Sequence, residues 1–114
     1  MSDSALGTIM AERHFEARNE AGEEHEVVLR IGIPVHDPRP DGDWYCPYQI
    51  TGVPNNRVSV ASGIDSLQAF LLVLEKARAE LAFSQRVDGL RLTWLEQDNW
   101  GLPDLETKSG ETRR

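Results

Sequence analysis

Three histidines, His14, His25 and His36, recur at even intervals ahead of the single cysteine, Cys46. Imidazole and thiolate are the side chains from which zinc sites are built, so the pattern raises metal binding first. A metal needs ligands that converge. No His-x-x-x-His or Cys-x-x-Cys pair supplies two from one element, and the four residues fall on separate strands or strand ends. Residues 36–43 are similar to a calcium loop, with Asp37, Asp41 and Gly42 in its first, fifth and sixth places. Its third place holds the cation Arg39 and its twelfth Tyr48 instead of a bidentate glutamate, so the match fails. The sequence predicts no metal site.

Covalent chemistry is no better provided for. Cys46 precedes Pro47 on a strand, without the helix N-terminus or nearby cation that makes a thiolate reactive, and reads as a small packing hydrophobe. There is no Gly-x-Ser-x-Gly elbow, no glycine-rich phosphate loop and no dinucleotide fingerprint. The adjacent acids Glu23 and Glu24 fall in a turn, where carboxylates are solvated. No catalytic residue and no cofactor are expected.

The elements that would position any site follow from periodicity. Residues 8–17 form a first strand with Ile9, Ala11, Phe15 and Ala17 on one face, interrupted by Arg13. After a turn at residues 19–22, Val27, Leu29, Ile31, Ile33 and Val35 alternate with more polar neighbours, giving a second strand with one buried face. Pro34 cannot donate to a ladder, so that strand ends at an edge or beyond the pairing. Trp44, Cys46, Tyr48 and Ile50 alternate in a third strand, and Val58 and Val60 face inward from a short fourth.

A helix follows, with Asp65 as N-cap, Gln68 reaching back to the cap's own N–H, and Gly89 at its end. Gly63 permits the turn into it. Leu90, Leu92 and Trp94 make a fifth strand or extended return segment. The predicted class is α+β: an antiparallel meander of four to five strands with one long helix on one face, in the order β-β-β-β-α-β. Residues 1–105 read as one domain, and residues 106–114 as a polar, mobile tail.

Two surfaces stand out as binding candidates. On the helix, Leu67, Phe70, Leu71, Leu74, Ala77 and Leu81 form the stripe expected to face the sheet. Leu72, Ala79 and Phe83, with Lys76 in the same row, fall nearly opposite. Either the C-terminal segment, through Trp94, Leu95 or Trp100, folds back over this row, or a partner does. On the third strand Tyr45, Gln49 and Thr51 point away from the core; an open second sheet face would present them for recognition, and an ordinary solvent-facing strand explains them equally.

Composition bounds the function. The chain has 114 residues, room for one domain, and its 39% hydrophobic content is lean but globular. Twelve basic residues against nineteen acidic give a net charge of -7, and the basic ones are scattered, which argues against nucleic acid. An acidic surface suits a basic protein partner. The run at residues 69–74 is too short to cross a bilayer, and the start of the chain carries an acid where a secretory signal has lysine or arginine, so the expectation is cytoplasmic with no membrane contact.

Residues 43–50 (Asp-Trp-Tyr-Cys-Pro-Tyr-Gln-Ile), residues 61–70 and residues 92–95 together resemble a family of short bacterial domains of unknown function. Its marks are a Trp-x-Cys-Pro-Tyr-Gln-Ile strand and a Gly-x-Asp-x-x-Gln-Ala helix start, and the resemblance runs from about Met10 to Pro103. It implies a bacterial source and no assigned activity, cofactor or site. The reading is a non-catalytic interaction or self-associating domain, a homodimer or an immunity or accessory protein for a basic partner. The alternative is a small enzyme or ligand-binding domain with a pocket between sheet and helix.

Overall fold

A computed structural model describes residues 5–103. Alternation lays down six strands among these residues: β1 (Ile9–Arg18), β2 (Glu24–Gly32), β3 (Val35–His36), β4 (Trp44–Thr51), β5 (Ser59–Gly63) and β6 (Arg91–Thr93). The helix α1 (Ser66–Val87) lies between β5 and β6. Every pairing is antiparallel, as expected for an α+β meander with one helix. The strand count exceeds the expected four to five because β3 is split from β2 around Pro34, which has no N–H to give. β2 and β3 lie in series along one side of β4, β5 lies on its other side, and β6 closes the far side of β1. The chain therefore carries α1 across the whole sheet, from one edge to the other.

The core forms between α1 and the inner face of the sheet. Val27, Leu29 and Ile31 of β2 meet Cys46, Tyr48 and Ile50 of β4 there, all buried. Ile33 and Val35, expected on the same buried face, are 47% and 41% exposed, because the break at Pro34 ends the β2 alternation before them. Ile9 and Ala11 are also exposed, and the β1–β2 register slips between them. Arg13, the interruption in the β1 face, turns out to hold the end of the chain, as described below.

The helix seats only part of the stripe that periodicity suggested: Ala77 and Leu81 are buried as expected, and the rest of the buried line is shifted to other residues. Ala69, Val73, Ala77, Leu81 and Ser84 are its buried residues; Phe70, Leu71 and Leu74 are half-buried, and Leu67 is 61% exposed. Ala69 and Ala77 in the seam let the helix come close to the sheet, Val73 and Leu81 fill the space beside them, and Phe70, Leu71 and Leu74 flank the contact. The same closeness explains β5. Ala61 and Gly63 face the core, while Val58 is half-buried and Val60 exposed, contrary to the expectation that both valines point inward. A Cβ at Gly63 would lie 2.6 Å from the backbone nitrogen of Ala69, so glycine is needed there for space under the first turn of α1.

Capping follows the predicted residues with one change of partner. Asp65 Oδ1 accepts from the Gln68 N–H at 2.8 Å, and Gln68 Oε1 accepts from the N–H of Ile64, not of Asp65, at 2.7 Å. Gly89, at φ +71°, takes the left-handed position after the helix.

Beyond β6 the chain reverses in a two-residue turn, with Trp94 and Gln97 exchanging backbone bonds of 2.9 Å. Trp100 then returns to the core, donating from Nε1 to the Leu92 carbonyl at 3.0 Å and meeting Phe15 edge to face at 6.4 Å. Residues 101–103 settle beside Phe70 and Leu74. The expected tail at residues 106–114 lies outside the described residues.

Candidate functional site

The row of Leu72, Lys76, Ala79 and Phe83 is divided by the fold into three situations. Leu72 is half-buried and packs against the core cluster. Lys76 donates from Nζ to the Val60 carbonyl of β5 at 3.0 Å. Ala79 and Phe83 are exposed, Phe83 at 53%, and they form one wall of a groove of about 350 Å³. The opposite wall is Ile50 at the end of β4 and Val53 and Pro54 of the β4–β5 loop. Residues 101–103 lie beside the Phe70–Leu74 flank of α1, so among the described residues the segment after β6 does not line this groove.

The electrostatics of the groove are mixed but lean acidic. Glu80 and Asp88 contribute carboxylates to its lining. The Tyr48 hydroxyl donates to Glu80, and burial, followed by that carboxylate, pushes the Tyr48 phenol above its ordinary range. Arg86 stacks over the Phe83 ring at 5.7 Å. The groove thus offers an apolar slot with an aromatic wall and carboxylates, suited to holding a side chain and a cation.

The second expected surface is closed at Gln49 and open at Tyr45. Gln49 is 6% exposed and donates from Nε2 to the Asn56 carbonyl at 2.8 Å, pinning the β4–β5 loop. Tyr45 stands alone on that strand at 38% exposure. The outer face is closed in part because the residues before β1 cross it: a Cβ at Gly32 would lie 2.3 Å from the Leu6 carbonyl, and Leu6 is itself buried.

The rest of the outer face carries a polar chain that the sequence reading missed. Thr51, Arg30, Glu12, His14 and Glu26 link in series, with Arg30 Nη1 donating to Thr51 Oγ1 at 3.3 Å and its Nε 3.2 Å from Glu12. His14 sits between Glu26 at 2.7 Å and Glu12 at 3.3 Å, and the bond to Glu26, then that to Glu12, raises its pKa above 6.5. Register carries this: Glu12 lies directly opposite Arg30 across the β1–β2 hairpin. Aligning the alternate polar positions of the two strands about their turn would have found it.

The other residues considered for chemistry are separated. His25 Nε2 lies 2.8 Å from the Gly52 carbonyl, and His36 stacks on Trp44 at 5.0 Å. Asp37 is held by Arg39, whose hydrogen bonds lower its pKa to about 2. Cys46 is fully buried, and desolvation pushes its thiol up to about 11, far from a reactive thiolate. Among the described residues no group of three His, Cys, Asp or Glu side chains is placed to hold a metal ion, and no helix is long and apolar enough to cross a membrane.

A family model described as "Domain of unknown function (DUF6968)" matches residues 11–104. No curated protein and no solved structure matches the chain.

Proposed function

We propose that this chain, which belongs to the DUF6968 family of domains of unknown function, is a non-catalytic interaction domain that docks a basic protein partner on the groove between α1 and the β4–β5 loop. One observation carries the reading: Phe83 stands 53% exposed beside an apolar slot that none of the described residues after β6 lines. An exposed aromatic beside a concave apolar wall is the form that interface anchors take. Glu80 and Asp88 in the groove, and the net charge of -7, favour a partner that brings lysine or arginine beside its apolar contact. An immunity or accessory protein of a bacterial cytoplasm, neutralising a basic partner, is the concrete role this supports.

Copurification from the native host tests the proposal. Wild-type protein should retain a stoichiometric basic protein, released as salt rises, while Phe83→Glu should lose it with an unchanged circular dichroism spectrum. A small molecule retained in place of the protein, and lost in the same variant, would make the groove a ligand pocket instead. A partner that binds Phe83→Glu as well as wild type would remove the groove from the function.

A further inference from the structure

The groove beside Phe83 holds a polar side chain whose need is unmet. Ser84 is 7% exposed and lines the groove, and its hydroxyl makes no hydrogen bond with another described residue. Only its carbonyl is engaged, by the Asp88 N–H at 2.9 Å. A buried hydroxyl left in that state costs free energy, and one on a concave wall is placed to bond what enters. Two carboxylates share its row. Glu80, Ser84 and Asp88 follow at four-residue steps along α1 and its C-cap, so their side chains stand one above another on the groove side of the helix.

These acceptors lack a cation. Glu80 is half-buried, and its Oε2 accepts from the Tyr48 hydroxyl, which leaves Oε1 without a partner among the described residues. Neither Glu80 nor Asp88 forms an ion pair with a described residue. The nearby cations of the chain are committed: Lys76 to the Val60 carbonyl at 3.0 Å, Arg57 to Asn55 Oδ1 at 3.4 Å, and Arg86 over the Phe83 ring at 5.7 Å. The groove also lies at the C-terminal end of α1, where the last carbonyls carry partial negative charge. Carboxylate, hydroxyl and helix end all favour a positively charged donor.

We infer that the groove admits a lysine side chain of the docked partner, its methylenes against Val53 and Phe83 and its ammonium bonded to Glu80 Oε1 and Ser84 Oγ. This rests on the docking reading above and adds the residue that the partner presents. Donor geometry separates lysine from arginine. A guanidinium takes both oxygens of one carboxylate in a planar fork, and Tyr48 already holds one of those at Glu80. An ammonium has three donors that splay, so it meets single acceptors one helical turn apart. The lysine stem is apolar and lies along apolar surface, which the walls of the slot supply.

NMR titration of the full chain with N-acetyl-lysine methylamide, a lysine side chain on a neutral backbone, is the test. It should shift the amide signals of Ala79, Phe83 and Ser84 saturably, and less so as salt rises. The ε-acetylated form keeps the stem and loses the charge, and should not saturate; the arginine analogue should bind more weakly. Glu80→Gln should weaken lysine binding by about tenfold or more, the scale of one charge-assisted hydrogen bond. It keeps an oxygen for the Tyr48 hydroxyl, so the fold persists. Ser84→Ala should weaken binding by about threefold to tenfold without lowering the melting temperature, since the hydroxyl satisfies nothing in the free chain, and it decides the matter if the first variant fails to fold. The absence of a saturable shift, binding of the ε-acetylated or arginine form as tight as that of lysine, or wild-type binding by both variants overturns the inference. The docking reading survives those results if Phe83→Glu still loses the native partner. Lysine binding as expected, with the native partner retained by Phe83→Glu, upholds the ammonium site and removes the docking reading instead.

Discussion

The guanidinium of Arg13 lies 3.8 Å above the ring of Trp94, and its Nη1 donates to the Trp100 carbonyl at 3.0 Å. A cation on the inner face of β1 thereby fastens the end of the chain, residues that lie far beyond it in sequence, against the sheet. It also accounts for the charged position that breaks the apolar face of β1: the side chain is covered by an indole and spends a donor on a carbonyl, so its place there is satisfied.

Arg13→Ala should therefore destabilise the fold by about 1–3 kcal/mol, the combined scale of a part-buried cation–π contact and a charged hydrogen bond. Arg13→Lys should recover only part of this, because an ammonium cannot stack flat and reach the carbonyl at once. Urea unfolding measures both. An Arg13→Ala midpoint equal to wild type would leave the C-terminal segment held by Trp100 alone.

Leu81 and Leu74 lie on the same helix with unequal burial, 81 fully enclosed in the seam and 74 half-open beside residues 101–103. Leu81→Ala should cost about 2–5 kcal/mol by opening a cavity against the sheet, with Leu29→Ala in the same range. Leu74→Ala should cost less than either. Thermal or denaturant melts give the order, and a larger loss at Leu74 than at Leu81 would reverse the assignment of the buried face.

His14 should titrate above its ordinary 6.5, since Glu26 and Glu12 both favour its charged form. A group whose pKa is raised in the folded state contributes stability below its unfolded pKa, and that contribution fades as pH rises through the folded value. The residues are exposed, so the effect on stability is small and the proton itself is the better readout. In an NMR titration Glu26→Gln should lower the His14 pKa, and Glu12→Gln should lower it less. A wild-type value at or below 6.5 would mean the two carboxylates do not hold the ring in solution.

How far the sequence reached can be seen at β2 and at the two ends of α1. The alternation from Val27 to Ile31 needs only the period of an extended chain and one buried face, and it was legible outright. Asp65, Gln68 and Gly89 act on the helix from within a few residues, so they too could be read locally. Pro34 announced the end of β2 because a missing N–H is a property of the residue itself.

What the sequence alone decided is thus local: the class of fold, the strand alternation, the caps and the absence of catalytic motifs. What tertiary structure decided is which surfaces remain open. Periodicity places Leu67, Phe70, Leu71 and Leu74 on the helix face with Ala77 and Leu81, yet only the last two are buried and Ala69 and Val73 complete the seam, where the sheet comes so close that a Cβ at Gly63 would meet the backbone of Ala69. Gln49 is buried because the Asn56 carbonyl comes round to accept from it, and the outer face closes where Leu6 crosses Gly32. Trp100 settles on Phe15 and residues 101–103 lie beside the opposite flank of the helix, so none of the described residues after β6 reaches the groove beside Phe83. Each of these outcomes depends on where a remote segment comes to rest, and a contact between residues 87 apart, such as Arg13 with Trp100, leaves no trace in the local pattern of either.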